Sequence, residues 1–402
     1  DSPFGTQLDP VKPIVEVARQ LGFKWVRSWD LYWRDLEPEK GEWKWERADE
    51  AMQLLSENYF NVMAIAGSVP SHANNAPGNL RQKWVGHNLP PDDMDLWRDY
   101  VHSIVSRYAD TVQVWEIWNE PYWTKYLPGD FTEDGQAIHA TPEQFFELFK
   151  AGAEAAKKAD RDAMLAWNSS GGEMMEWDKG VIDLGILDYL DAITIHKYTN
   201  ASIGYPGDPI YREVVHLKEN IPDEYEDLPI WNTEGGWHAM TRNASVIHPP
   251  ANLRSEVRRN ANFQVGYYMS TLGSGVDKFF NFIFSDWGRY RGTWSLFNDD
   301  SQLSATATAL SNMIWHLDGL DFQAFEEIDT EVFAYLFEGT DRAAAVIIGK
   351  GAGRTELETL PQGAQLNGLF GNPVSLPATL GNDATFLLQE DASVDDLLQI
   401  LR

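Results

Sequence analysis

The stretch Val112-Gln113-Val114-Trp115-Glu116-Ile117-Trp118-Asn119-Glu120-Pro121 decides how the whole chain is read. Its β-branched and aromatic residues make a near-continuous apolar run, as in a strand covered on both faces. The run ends at Asn-Glu-Pro, where proline cannot extend a ladder and a turn must begin. Leu228-Pro229-Ile230-Trp231-Asn232-Thr233-Glu234-Gly235-Gly236 repeats the arrangement: an apolar strand, a carboxylate at its end, and a Gly-Gly turn.

Outward from these two segments the pattern recurs. Residues 4–6, 24–29, 62–66, 163–167, 192–195 and 276–284 read as further strands. Between them lie helical patterns. Val11, Ile14, Val15, Ala18 and Leu21 have helical spacing and Gly22 stops them. Residues 48–58, 92–108, 142–160, 254–271 and 304–315 follow suit, with Pro142 in the first turn of its helix. Eight strand-helix units predict an α/β fold, a closed (β/α)8 barrel with its active site at the strands' C-terminal ends. After about Leu320 short strands follow one another, at 322–328, 332–337, 343–348, 366–370 and 385–388, separated by Gly and Pro turns. They predict a small antiparallel β-sandwich. The expected division is a barrel over 1–318 and an accessory domain over 319–402, joined rigidly because no polar linker separates them.

Composition narrows the function. With 32 Lys+Arg against 61 Asp+Glu the net charge is −29, a field that repels nucleic acid and anionic lipid. No apolar run reaches the ~18 residues of a membrane span. The chain has no cysteine, which excludes disulfides, thiolate catalysis and sulfur-ligated zinc. No His-x-x-x-His pair, phosphate loop or Gly-x-Ser-x-Gly elbow is present, so no metal or other cofactor is expected. Asn298-Asp299-Asp300 lacks the rest of a calcium loop and reads as a turn. No charged, apolar leader follows Asp1, and the acidic, cysteine-free composition suggests a secreted or periplasmic protein.

Glu120 and Glu234 end strands four and seven, on opposite sides of the expected mouth. Two carboxyl groups about 5–5.5 Å apart are the machinery of retaining glycoside cleavage. A strand-end cap for Glu120 and a solvated loop position for Glu234 are the alternatives, and both conflict with the barrel's placement of functional residues.

The Asn119-Glu120-Pro121 element and the strand-seven glutamate resemble those of glycoside hydrolase clan A, the retaining (β/α)8 glycosidases, especially its β-xylosidase and β-galactosidase-like branches. The resemblance covers the whole barrel. It implies Glu120 as acid/base, Glu234 as nucleophile and Asn119 on the sugar 2-hydroxyl. His196-Lys197-Tyr198 is similar to the clan's His-x-Tyr pattern, with Tyr198 bonded to the nucleophile. Trp287 is similar to the aromatic after strand eight that lies under the sugar, and Arg27 to the strand-two arginine beside the nucleophile.

Each helper has a plainer reading. Arg27 can pair with a core carboxylate, His196 can be a hydrogen-bonded structural ring, and Tyr198 can fill core. His72, after strand three, can touch a sugar hydroxyl or lie on a surface loop. Trp29, Trp33, Trp118, Trp123, Trp237, Trp287 and Trp294 fall at strand ends, where rings can stack on sugars or pack the barrel. Arg289 and Arg291 can bind an anionic sugar or pair with the acidic surface. The expected partner is an oligo- or polysaccharide cleaved by double displacement. A transglycosylase using the same carboxylates, or a non-catalytic carbohydrate-binding barrel, are the rivals. No sequence pattern bears on the oligomeric state, the sugar or its linkage.

Overall fold

A computed structural model of the chain describes residues 2–76, 78, 84–132, 136–198, 208–236, 254–285, 295–297 and 302–402. Eight parallel strands close into a barrel: β1 Phe4–Thr6, β2 Trp25–Ser28, β3 Asn61–Ala66, β4 Val112–Ile117, β5 Met164–Ser169, β6 Ala192–Tyr198, β7 Ile230–Gly236 and β8 Lys278–Asn281. Each is followed by a helix: α1 Lys12–Gln20, α2 Glu46–Glu57, α3 Met94–Tyr108, α4 Pro142–Ala159, α5 Met175–Asp183, α6 Pro209–Lys218, α7 Arg254–Gly273 and α8 Ala305–Leu317. The helices start where the sequence offers caps. Thr141 and Gln144 form a reciprocal capping box ahead of Pro142, and Asp93, Asp208 and Ser304 accept backbone N–H groups at three further starts. Helices α5 and α6 go beyond the helical stretches expected from the sequence. The apolar set of α5 is short, Met175, Trp177 and Val181, whereas Ile210, Val214 and Leu217 of α6 keep regular helical spacing behind the Asp208 cap.

Small shifts in two strands matter to the site. Residues 192–195 are expected as a strand, but β6 runs on to Tyr198. Gly235-Gly236, read as a turn, instead completes β7. These glycines are demanded by close approach. A Cβ on Gly235 would sit 2.7 Å from the Tyr267 hydroxyl and 2.8 Å from the Lys197 carbonyl oxygen, and one on Gly236 would sit 2.5 Å from the Phe282 carbonyl oxygen.

Beyond the barrel, β9 Asp321–Asp329, β10 Val332–Glu338, β11 Arg342–Gly349, β13 Gln365–Asn367 and β15 Thr385–Glu390 form an antiparallel sheet in the order β9-β10-β11-β15-β13. A two-stranded ladder of β12 Thr355–Leu357 and β14 Ala378–Leu380, with helix α9 Val394–Leu401, forms the opposing layer. Alternation along β10 and β11 divides the two faces. Tyr335, Phe337, Ala344 and Val346 join the barrel's core. Ala334, Leu336, Ala345 and Ile347 pack with Leu357, Leu380, Leu397 and Leu401. Both faces are covered, which is why residues 343–348 are uniformly apolar. The joint to the barrel is dense: His316 of α8 stacks on Phe386 at 5.0 Å, and Gly273 at the end of α7 leaves room for the Tyr335 ring. The apolar core of the barrel continues into the sheet, flanked by polar contacts such as Asn312 to the Gly368 carbonyl and the Ala384 N–H to Asn262.

Candidate active site

The mouth of the barrel carries a connected set of buried polar groups at the strand ends. Arg27, 1% exposed, projects from β2 and is the hub. Its Nε donates to Glu116 Oε2 at 2.7 Å, one terminal nitrogen donates to Glu234 Oε2 at 3.1 Å, and the other to Asn119 Oδ1 at 2.8 Å. Arg27 therefore pairs both with a core carboxylate and with the strand-seven glutamate. Burial alone would weaken its charge, but Glu116 and Glu234 more than offset that and hold the guanidinium protonated.

Glu234 reaches the mouth through a change of register. His196 of β6 pairs with Glu234, while Ile195 pairs with Asn232, so β7 carries one extra residue between them. The same extra residue shows against β8, where Phe279 pairs with Asn232 and Asn281 with Gly235. A bulge breaks the in-out alternation. Thr233 and Glu234, though adjacent, thus both serve the interior: Thr233 donates to Glu116 at 3.3 Å. The Glu234 carboxylate also accepts from Tyr198 OH at 2.8 Å on Oε1 and from Gln7 Nε2 at 3.3 Å on Oε2. Gln7, just past β1, anchors to the Thr233 carbonyl as well. Donors from three strand ends thus converge on this carboxylate.

Glu120 is built differently. It lies 8% exposed, beyond β4, in a turn where Trp118 and Glu120 itself take φ values of 72° and 45°. Such left-handed backbone at non-glycine residues costs about 1–3 kcal/mol and persists only when over-determined by its surroundings. Here the constraints are the Glu120 N–H, which donates to Asn168 Oδ1 of β5 at 2.7 Å, and the Trp118 indole, which donates to the Tyr126 carbonyl at 2.8 Å. Burial raises the Glu120 pKa above the ordinary 4.5, against the lowering influence of Lys125 and Tyr126. His196 Nδ1 lies 2.9 Å from Glu120 Oε1. Burial pushes the His196 pKa down to about 4, so the ring is neutral near pH 7 and cannot serve as a counter-ion.

The two carboxylates converge. One oxygen of Glu120, one of Glu234 and a ring nitrogen of His196 all lie within 4.8 Å of one another. That is the close spacing of a retaining pair, not the ~6.5–9.5 Å that leaves room for a water. Three potential ligands so close can also be read as a metal site. Arg27 donates into the same carboxylate and works against a cation there.

The remaining expected residues separate. Asn119, Tyr198 and His196 contact the pair or its hub. Trp123 closes the turn after Glu120, its N–H donating to the Glu120 carbonyl at 3.0 Å. His72 Nε2 donates to the Glu37 carbonyl at 2.9 Å, and His72 lines a cavity of about 410 Å3 with Arg34, Glu39 and His87. A smaller cavity of about 40 Å3 beside Asn119 shares Arg34 with it. Trp33 and Trp118 are buried, so they pack the wall and offer no open sugar platform. Trp237, Trp287, Trp294, Arg289, Arg291 and Asn298-Asp299-Asp300 lie outside the described residues. Sequence reasoning missed Glu116, Gln7, Asn168 and Thr194. A glutamate inside an apolar strand is the one signal that points to Glu116, because a buried carboxylate must find a cation.

No family model matches the chain. A β-xylosidase of Geobacillus stearothermophilus is 24% identical over 227 residues, 50% of this chain and 41% of that protein, so the match spans about two-fifths of the curated relative. Among solved structures, a family 39 glycoside hydrolase from Bacteroides cellulosilyticus WH2 superposes with a TM-score of 0.70 at 18% identity, over 96% of this chain and 80% of that one. A family 39 β-xylosidase from Caulobacter crescentus gives 0.62 at 15% identity, over 97% and 96%. Xylanase 10B from Thermotoga maritima gives 0.51 at 16%, over 78% of this chain and 95% of that one. The chain has the fold of these glycoside hydrolases. The family 39 likeness takes in the C-terminal sheets as well as the barrel.

Proposed function

We propose that this chain is a retaining glycoside hydrolase of clan A that cleaves β-glycosidic bonds, with β-xylosides as the first substrates to test. The observation that carries the proposal is the approach of two carboxylates to within 4.8 Å in opposite environments. Glu234, facing Arg27, Tyr198 and Gln7, is the ionised nucleophile. Glu120, with its raised pKa, is the proton donor. Glu234 attacks the anomeric carbon as Glu120 gives its proton to the departing oxygen. The negative charge on Glu234 vanishes in the ester. Glu120, now ionised, takes a proton from water, which cleaves the ester and restores both groups. Asn119, beside Glu120, bonds to the sugar 2-hydroxyl most strongly as oxocarbenium character develops. The xyloside preference rests on the printed names of the Geobacillus and Caulobacter relatives. A secreted enzyme suits the acidic, cysteine-free chain.

Azide rescue on an aryl β-xyloside tests the roles. Glu120→Ala should yield the β-glycosyl azide, formed from the intermediate, and Glu234→Ala the α-glycosyl azide, formed by direct displacement. Background activity in wild type across a panel of aryl glycosides and polysaccharides would favour a carbohydrate-binding barrel. An α-configured first product from wild type would exclude retention.

A further inference from the structure

Glu116 does not touch the space between the two carboxylates, yet it takes the best of Arg27. Nε and a terminal nitrogen of Arg27 both donate to Glu116 Oε2, whereas Glu234 receives one longer bond at 3.1 Å. Glu116 is fully buried, and its other oxygen is met by the hydroxyls of Thr194 and Thr233. Arg27 therefore sits between two carboxylates of unequal fate. In the double displacement proposed above, on which this inference rests, Glu234 forms an ester bond to the anomeric carbon as the bond to the leaving oxygen breaks. Its negative charge leaves with the departing oxygen, which is neutralised by the Glu120 proton. A buried guanidinium whose sole carboxylate partner was Glu234 would then be stranded, and a stranded buried charge is strongly unfavourable.

We propose that Glu116 is a positioning residue that acts through Arg27, the permanent counter-ion that lets Glu234 give up its charge to the sugar. It has two effects. It takes up much of the arginine's charge in the free enzyme, leaving the Glu234 carboxylate more nucleophilic. It also keeps Arg27 paired while the glycosyl ester exists. The charged or titratable groups described around Glu234 are Arg27 of β2, Tyr32 beyond that strand, Glu116 of β4, Glu120 and Tyr122 in the turn after it, and His196 and Tyr198 of β6. Of these, Glu116 reaches Glu234 by way of the arginine without contacting the carboxylate.

The test is Glu116→Gln, which keeps shape and removes charge, assayed with dinitrophenyl and nitrophenyl β-xylosides by rapid-mixing kinetics. Formation of the glycosyl-enzyme should slow roughly 100-fold. Its hydrolysis should hold its rate or quicken, so any burst of aryl alcohol disappears. Glu116→Asp, which keeps the charge, should keep the two steps in the wild-type ratio. Equal slowing of both steps by Glu116→Gln would overturn the idea and leave Glu116 a packing residue. If Glu116→Gln does not fold, Glu116→Asp decides alone, and a changed ratio of the two steps there counts against the proposal. Glu234→Gln serves as the separate control. If that variant retains wild-type turnover, the glycosidase reading fails, whatever Glu116 does.

Discussion

The two ends of this barrel are made from the same eight strands and could hardly differ more. At the N-terminal floor, Trp25, Met63, Val114, Ala166, Ala192, Trp231 and Phe280 form a closed apolar layer. Lys278 lies over the faces of Trp25 and Trp231 at 5.0 and 5.2 Å. At the mouth, inward positions on the same strands carry Arg27, Glu116, Thr194 and Glu234, cross-linked by hydrogen bonds. Val114 and Glu116 are two residues apart on one strand and share its inner face, yet one belongs to the floor and the other to the mouth. The floor gains from burying apolar area, and its geometry can relax. The mouth gains nothing from relaxing, since each polar group is in place only because its partners are. Chemistry should therefore be sensitive at one end and indifferent at the other.

The largest expected break is Glu234→Gln, which removes the nucleophile and should lower kcat by roughly 10⁵-fold or more while the fold persists, read from steady-state kinetics and circular dichroism. Glu120→Gln comes next, at roughly 10²–10⁴-fold on substrates with poor leaving groups. Its pH profile sharpens the point. Glu120 must be protonated to act as acid, so kcat/KM falls as pH rises through its elevated pKa. With a dinitrophenyl leaving group, which needs no proton, the variant should show no such alkaline fall. Arg27→Lys keeps the charge but cannot reach Glu116, Asn119 and Glu234 at once, and kcat/KM should drop roughly 100-fold.

The smallest effect belongs to the floor. Lys278→Met should leave kcat/KM within about twofold, because an apolar swap there is tolerated by packing. A fall comparable to that of Arg27→Lys would dissolve the distinction between the ends. Stability should respond to pH instead. Burial lowers the Lys278 pKa to about 8, against the raising influence of Asp277. Between about 8 and the unfolded value near 10.5 the unfolded chain binds the proton and the folded chain does not, so this lysine's contribution to stability increases with pH. Wild-type Tm should gain relative to Lys278→Met from pH 7 to pH 10, and a constant difference would reject the linkage.

The strand ends show how much was legible. Asn119-Glu120-Pro121 and Thr233-Glu234-Gly235-Gly236 announce themselves because an apolar run that stops at a carboxylate has few explanations. Glu116 was hidden in plain view, within a run read for its apolar character. Gln7, Asn168 and Thr194 carry no local signal at all. Each is an ordinary polar residue whose role exists only because β1, β5 and β6 stand beside β7 and β4. The extra residue in β7 is equally silent, since a bulge is defined by its neighbours and not by its own composition.

By itself the sequence determined the repeating strand-helix order, the change of texture near Leu320 and the two strand-end glutamates, because periodicity, caps and turn residues act over a few neighbours. Only the tertiary structure decided that Arg27 divides itself between two carboxylates, that Glu120 is held at a raised pKa in a left-handed turn, and that the pair meets within 4.8 Å. Those facts depend on burial and on distances between segments up to about two hundred residues apart, as with Arg27 and Glu234, and such quantities arise only when the barrel closes.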